Sequence, residues 1–87
     1  MPVDVDLFGI ARARAGVARV STTGDDLGDM LDQLARRFPA LAESSIEGRH
    51  LRPGFTANLG GDRFVTAPET RLVEGAVVLI LSVDAGG

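Results

Sequence analysis

Two glycines, Gly86 and Gly87, end the sequence just beyond its most apolar segment, "AVVLILSV". Glycine has no Cβ, so the pair can pass through a narrow channel and adopt dihedral angles that other residues avoid. The last four residues, from Asp84 onward, reach roughly 13 Å at about 3.3 Å each. That length is enough for the end of the chain, Gly87, to leave the body of the protein and enter a neighbouring one. The alternative is a frayed end without function.

Other residues that could do chemistry lack partners in the sequence. His50 is the single histidine, so we expect a loop residue rather than part of a catalytic triad or a metal site. The sequence contains no cysteine, which excludes disulfides, thiolate catalysis and cysteine-ligated metals. Asp25, Asp26 and Asp29 have the composition of a Mg²⁺ site, but helix capping explains them, and we predict no bound metal.

Several polar residues have weaker claims to a binding role. Arg12 and Arg14 could meet an acidic groove of a partner, with a solvated loop as the alternative. Asn58 is expected to fix a turn rather than to touch a substrate. Asp84 either pairs with an arginine of a partner or is an ordinary tail residue.

The composition bounds the class of protein. The 87 residues suit one domain, and apolar residues at 45% with charged residues at 24% are typical of a globular chain. The net charge of −3, without a basic block, argues against a nucleic-acid partner. No apolar run has the length of a membrane span, and the N-terminus lacks the features of a signal peptide. We therefore expect a cytoplasmic protein with no membrane partner.

Hydrophobic periodicity predicts the strands that would position the terminus. Residues 3–8, "VDVDLF", alternate apolar and acidic side chains, which predicts a half-buried strand. The stretch "VARVS" predicts a second strand, paired with the first as an antiparallel hairpin through an Arg- and Ala-rich loop that ends at Gly16. The β-branched stretch "AVVLILSV", after a turn at Glu74-Gly75, predicts the last strand.

One long helix is the clearest element of the sequence. Apolar residues recur there at spacings of three and four and form a single stripe of Leu27, Met30, Leu31, Leu34, Ala35 and Phe38. Asp26 is a suitable N-cap, Arg36 and Arg37 suit the last turn, and Pro39 ends the helix. Residues 40–54 are predicted to be a polar loop with one short helical turn at most, and Gly60-Gly61 predicts a hairpin.

The order of these elements predicts the fold. Two strands, a long helix, short strands and a final strand that pairs in parallel with the first give an α+β domain. This order is that of the β-grasp, or ubiquitin-like, fold, a mixed sheet with one main helix on one face. We expect a single domain over residues 1–87, in which residues 84–87 form a flexible tail.

The last strand is apolar on both faces, although one long helix covers only one face of a sheet. Val77, Leu79, Leu81 and Val83 point one way, and Ala76, Val78, Ile80 and Ser82 point the other. We therefore predict an apolar patch on the open face near the C-terminus, with Phe8 as a neighbour, and a partner that binds it. The alternative is that the loop of residues 40–54 folds over this face.

The sequence resembles the ThiS/MoaD family of ubiquitin-like sulfur carriers along nearly its whole length. The opening "LFGIARARAG", the helix "GDDLGDMLDQLARRFPAL", the hairpin with Asn58 and "DRF", and the ending "LVEGAVVLILSVDAGG" are each similar to the family pattern. The sequence departs from that pattern at Ala76, where the family often has Asp, and at Leu81-Ser82, where it often has a proline. These departures bear on the partner enzymes more than on the fold.

The resemblance implies a carrier that is not itself an enzyme. An E1-like adenylyltransferase would use ATP and Mg²⁺ to adenylate the Gly87 carboxylate, and a persulfide sulfur from a donor protein would replace AMP. The resulting thiocarboxylate would deliver sulfur to an accepting enzyme, such as a molybdopterin synthase large subunit or a cysteine synthase. The residues expected to contact these partners are Phe8, Leu81, Val83, Asp84, Ala85 and Gly86.

Within this class the sequence leaves the pathway open among molybdenum cofactor, cysteine, thiamine and sulfur-containing natural products. Two other classes of function stay open as well. One is a ubiquitin-like protein modifier that is joined through Gly87 to a lysine of a target. The other is a β-grasp interaction module whose tail takes part in no reaction.

Overall fold

The computed structural model describes residues 2–83 of the chain, so the predicted tail of residues 84–87 lies outside the described part. Seven strands and three helices follow one another along it. In chain order they are β1 (Pro2–Leu7), α1 (Gly9–Ala15), β2 (Arg19–Thr23), α2 (Leu27–Arg37), α3 (Pro39–Ser45), β3 (Ile46–Glu47), β4 (His50–Leu51), β5 (Phe55–Leu59), β6 (Arg63–Val65) and β7 (Val77–Ser82).

Five of the strands form one mixed sheet in the order β2-β1-β7-β5-β6. The first and last strands, β1 and β7, pair in parallel with Val5 opposite Val78, and the other neighbours pair antiparallel. The two remaining strands, β3 and β4, form a separate short hairpin. The predicted α+β class, the mixed sheet and the parallel pairing of the two terminal strands are confirmed.

The core lies between the sheet and the helices. The alternation predicted for β1 is observed, because Val3, Val5 and Leu7 are each at most 2% exposed. Val78 and Ile80 of β7 face the same side and are equally buried. The helical side of this core contains Leu27, Met30, Leu31 and Leu34, which belong to the predicted stripe of α2.

The ends of α2 follow the sequence signals. The Asp26 side chain accepts a hydrogen bond from the backbone N–H of Asp29 at 2.8 Å, which satisfies one of the free donors of the first turn. Arg36 and Arg37 lie in the last turn, where the helix dipole favours cations. The helix ends at Arg37, two residues before Pro39, as predicted.

The Arg- and Ala-rich link between β1 and β2 is a helix, α1, and the prediction of a loop there is wrong. Alanine and arginine are among the strongest helix formers, and Ala11 is fully buried in the core. Gly16 ends the helix with a φ of 79°, a left-handed conformation that favours glycine, and its N–H bonds the Arg12 carbonyl at 2.9 Å.

The segment 40–54 also contains more regular structure than predicted. Pro39 ends α2 but begins α3 as its first helical residue, a position that tolerates proline because no backbone donor is needed there. The β3–β4 hairpin follows. Since α3 packs against α1 and α2, this segment lies with the helices. The alternative in which it covers the open face of the sheet is therefore wrong. Within residues 2–83, no helix is long and apolar enough to cross a membrane.

Candidate functional site

The end of β7, where the chain leaves the sheet, is held by backbone hydrogen bonds on both sides. The N–H of Val83 donates to the carbonyl of Gly54 at 2.7 Å, and the N–H of Phe8 donates to the carbonyl of Ile80 at 3.1 Å. Val83 itself is 53% exposed. The backbone at Val83 is therefore held in place at the edge of the sheet.

Apolar side chains surround this point on the open face of the sheet. Leu79 and Leu81 lie on the face of β7 opposite the buried Val78 and Ile80, and both are only half-buried. Phe8 follows β1 and is 40% exposed. The backbone hydrogen bond from Phe8 to Ile80 places Phe8 beside the end of β7.

One further aromatic residue of this face, Phe64, was not among the sequence candidates. It is 65% exposed and lies directly across β5 from β7, because it pairs with Asn58, which in turn pairs with Leu79. Its strand, β6, has only three residues, too few for a clear alternation in sequence. The one available signal was a phenylalanine that follows two charged residues, Asp62 and Arg63, beside a predicted hairpin.

A single row crosses the open face in register through all five strands. It runs Arg19, Asp6, Leu79, Asn58 and Phe64. The row begins with an ion pair and ends with an exposed ring. The apolar part of the open face therefore lies toward β7 and β6, and we call Phe8, Phe64, Leu79 and Leu81 the open-face patch.

The ion pair at the far end of the row is well formed. The Arg19 guanidinium donates to both Asp6 carboxylate oxygens, with 2.9 Å between Nη2 and Oδ2. This hydrogen bond holds the pKa of Asp6 below its usual range, partial burial opposes the shift, and the charge of Arg19 adds to it. Asp6 is thus paired with the neighbouring strand rather than available to a ligand, and Asp4 accepts a hydrogen bond from the Ser21 hydroxyl of that strand.

Asn58 occupies the middle of the row and differs from its prediction. It lies inside β5 rather than in a turn, and it is 7% exposed although it is on the open face. Its Oδ1 is buried and accepts no hydrogen bond from the described residues. The structure therefore gives no support to a role in fixing the turn, which is formed by the following residues.

The weaker candidates are spread over the surface. Arg12 and Arg14 are exposed on α1, and His50 is exposed on β4, opposite Glu47 in the hairpin. They do not converge on one site. Among residues 2–83, no group of three histidine, cysteine or acidic side chains is placed to hold a metal ion.

The aspartates at the start of α2 are used structurally. Asp26 caps the helix, and Arg49 bridges Asp26 and Asp29, with 2.8 Å between its Nη1 and Oδ1 of Asp29. This hydrogen bond lowers the pKa of Asp29. Gly28 makes the bridge possible, since a Cβ at this position would lie 2.6 Å from the Arg49 guanidinium.

The fold is shared with solved structures over the whole chain. The crystal structure of SAMP1 from Haloferax volcanii superposes with a TM-score of 0.82 at 22% identity, covering 100% of both chains. CysO in the BexX/CysO complex of Amycolatopsis orientalis superposes with a TM-score of 0.81 at 21% identity, and the alignment covers 98% of this chain and 99% of that one. Subunit 1 of the Helicobacter pylori molybdopterin-converting factor, solved in complex with subunit 2, superposes with a TM-score of 0.69 at 21% identity. The alignment covers 100% of this chain and 100% of that one.

The chain has the β-grasp fold. The structures that it resembles include archaeal SAMP1, CysO and the small subunit of molybdopterin-converting factor, so the resemblance stated from the sequence is confirmed at the level of the fold. No protein-family model matches the sequence, and no curated protein matches it significantly. Gly87, Gly86, Ala85 and Asp84 lie outside the described residues, whereas Leu81 lies in β7, Val83 directly follows β7, and Phe8 directly follows β1.

Proposed function

We propose that this protein is a ubiquitin-like sulfur carrier that acts with partner enzymes and is not itself an enzyme. The observation that supports the proposal is the open-face patch beside the end of the central strand of a β-grasp sheet, in a sequence that ends in Gly-Gly. The patch offers a partner a surface to grip, and the glycines give that partner a thin segment to draw into its active site.

The proposed chemistry starts at the Gly87 carboxylate. A carboxylate is a poor electrophile because its charge repels nucleophiles and oxide is a poor leaving group. Attack of the carboxylate on the α-phosphorus of ATP releases pyrophosphate and gives an acyl-adenylate, with AMP as a good leaving group. The terminal sulfur of a persulfide then attacks the acyl carbon and AMP leaves. A second thiol reduces the acyl-linked S–S bond, which yields the thiocarboxylate and a disulfide.

The chain contributes position rather than catalysis to these steps. ATP and Mg²⁺ are held by an E1-like adenylyltransferase, and the persulfide by a separate donor protein. Phe8 and Leu81 supply contacts on the open face, which Phe64 extends, and Val83 supplies a separate contact just after the end of β7. Hydrophobic contacts of this kind contribute roughly 25 cal/mol per Å² of buried apolar surface, and they hold the terminus near the nucleotide.

The accepting enzyme is proposed to be one that takes sulfur from a terminal thiocarboxylate, such as a molybdopterin synthase large subunit or a cysteine synthase. Two similar structures were solved as complexes, one of CysO with BexX and one of the two subunits of molybdopterin-converting factor. These complexes support a protein partner for the chain. Binding to a molybdopterin synthase large subunit separates the two pathways, because a cysteine-biosynthesis carrier is expected to form no complex with it.

The activation step is tested by ATP–pyrophosphate exchange with the E1-like enzyme of the same host. Exchange is expected with the wild-type chain and is expected to vanish when Gly87 is deleted, because the reacting carboxyl then lies one residue, or about 3.3 Å, short. Equal exchange with and without Gly87, or none with either chain, would contradict the proposal.

A protein modifier is the second candidate function, and the similarity to SAMP1, a small archaeal modifier protein, is the observation that favours it. A modifier uses the same activated carboxyl but transfers it to a lysine amine of a target. The two functions differ in their products. Peptides with a Gly-Gly remnant on lysine in the host, lost when Gly87 is deleted, are expected only of a modifier.

A further inference from the structure

An apolar groove lies at the end of β7, next to Val83. It is on the helical side of the sheet, opposite the open-face patch. It has a volume of about 480 Å³ and is lined by Gly9, Ile10, Gly54, Phe55, Ser82 and Val83. Ser82 and Phe55 face the helical side of the sheet, because they continue the buried rows of Ile80 and Ala57. The groove is therefore a separate surface from the open-face patch.

The groove is formed by the start of α1 and the turn before β5. Gly9 approaches β7 so closely that a Cβ there would lie 3.0 Å from the Ser82 hydroxyl oxygen. On the other side, Gly54 accepts the backbone hydrogen bond of Val83. Ile10 and Val83 form the rims and are 52% and 53% exposed, respectively. The large aliphatic side chains of Ile10 and Val83 are thus both exposed to solvent at the edges of the groove.

The position of the groove limits what can cover it. In the proposed function the reacting carboxyl belongs to Gly87, four residues after Val83. An extended segment of that length spans at most roughly 13 Å. A protein that holds Gly87 in its active site must therefore stand within that distance of Val83, and the groove, which Val83 lines, lies within its reach.

The charges beside the groove indicate the chemistry of the contact. Arg14 lies four residues after Ile10 on α1, which places the two side chains on one face of the helix. Arg14 and Arg12 are exposed, and neither forms an ion pair with another residue of the range 2–83. An acidic side chain of a partner would find both cations available.

We infer that the groove holds an apolar side chain of the E1-like enzyme that adenylates Gly87, with a carboxylate of that enzyme beside Arg14. This inference rests on the proposed function. The partner then contacts both sides of the sheet next to Val83, at the open-face patch and at the groove. These two contacts fix the direction in which the tail enters the active site. Ile10 and Arg14 are positioning residues that act on binding and take no part in the bond-making steps.

The test compares Ile10→Glu with Val73→Glu in the native host, each replacing the wild-type chain. Val73 is a matched control, because it is 69% exposed and lies before β7, at the opposite end of that strand from Val83. The readout is the fraction of protein whose Gly87 carries a thiocarboxylate, measured by intact mass. Loss of a central interface contact is expected to lower that fraction about tenfold or more for Ile10→Glu. Val73→Glu is expected to match the wild type.

Folding is checked by thermal melting of both variants, and Ile10→Ser supplies a milder change if Ile10→Glu melts below the control. If Ile10→Glu or Ile10→Ser carries the same thiocarboxylated fraction as the wild type, the inference that a partner binds the groove is overturned, and the proposed function stays in place. An unmodified wild-type chain overturns the proposed function and the groove together. Arg14→Glu is expected to lower the modified fraction as well, and an unchanged fraction overturns the carboxylate contact.

Discussion

The backbone N–H of Phe8 donates a hydrogen bond to the carbonyl of Ile80, at 3.1 Å, on the strand that leads to the C-terminus. Through this bond the end of β1 is fixed to the end of β7, and an exposed aromatic residue is placed beside that end of β7. The contact connects the fold to the proposed function, because the same parallel pairing that builds the core also assembles the open-face patch.

Replacing the exposed rings of the open-face patch is expected to impair activation more than stability. Phe8→Ser and Phe64→Ser remove side chains that are 40% and 65% exposed, so each is expected to change the free energy of unfolding by about 1 kcal/mol or less. Adenylation by the host E1-like enzyme is expected to fall about tenfold or more. Val17→Ser, at 41% exposure and outside the patch, is the matched control. Equal adenylation of all three variants would show that the patch is not a partner surface.

Adjacent residues of β7 are expected to differ sharply in their effect on stability. Ile80 is 1% exposed and faces the helices, so Ile80→Ala is expected to lower the free energy of unfolding by about 2–5 kcal/mol. Leu79 is half-buried on the open face, and Leu79→Ala is expected to cost about 1–2 kcal/mol. Urea denaturation of both variants measures the difference. Similar losses would mean that a further layer covers the open face.

Gly28 and Arg49 are expected to be coupled. A Cβ at Gly28 would lie 2.6 Å from the Arg49 guanidinium, so Gly28→Ala displaces the side chain that bridges Asp26 and Asp29. In an Arg49→Ala background this conflict is gone, and the helix propensity of alanine then favours the substitution by up to about 1 kcal/mol. A double-mutant cycle in urea measures the coupling. Additive effects would contradict the bridge.

The Arg19–Asp6 ion pair predicts a dependence of stability on pH. The Arg19 hydrogen bond lowers the pKa of Asp6 in the folded state. The contribution of this ion pair to stability is therefore present above the unfolded pKa of Asp, about 3.9. It is lost as the pH falls through the lowered pKa of the folded state. Arg19→Gln is expected to raise the pKa of Asp6 in NMR titration. It is also expected to reduce the loss of free energy of unfolding that the wild type shows as the pH falls. Asp29, paired with Arg49, is the internal control, and its pKa should not move. An unchanged Asp6 titration would rule out the pairing in solution.

The elements with long periodic patterns were predictable from the sequence, and the short ones were not. The stripe of α2 and the alternation of β1 each repeat often enough to identify the element and its buried face. The helix α1 buries only Ala11, so its sequence has no apolar stripe and its helical state depends on packing against α3 and the sheet. Pro39 was correctly predicted to end one helix, but proline is equally suited to begin another.

The candidate site was predictable in part for a similar reason. The two apolar faces of β7 indicated an uncovered patch, because one long helix could cover only one of them. Phe64 was missed because its three-residue strand carries almost no pattern. The groove at Ile10 could not be predicted, since it exists only because α1 is a helix that begins against Ser82.

The intact mass of the protein, purified from its own host without reducing agents or added sulfide, tests the central claim most directly. The account predicts a species in which one oxygen is replaced by sulfur, with the change mapped to Gly87. An unmodified mass that persists after incubation with ATP, the host E1-like enzyme and a persulfide donor would contradict it.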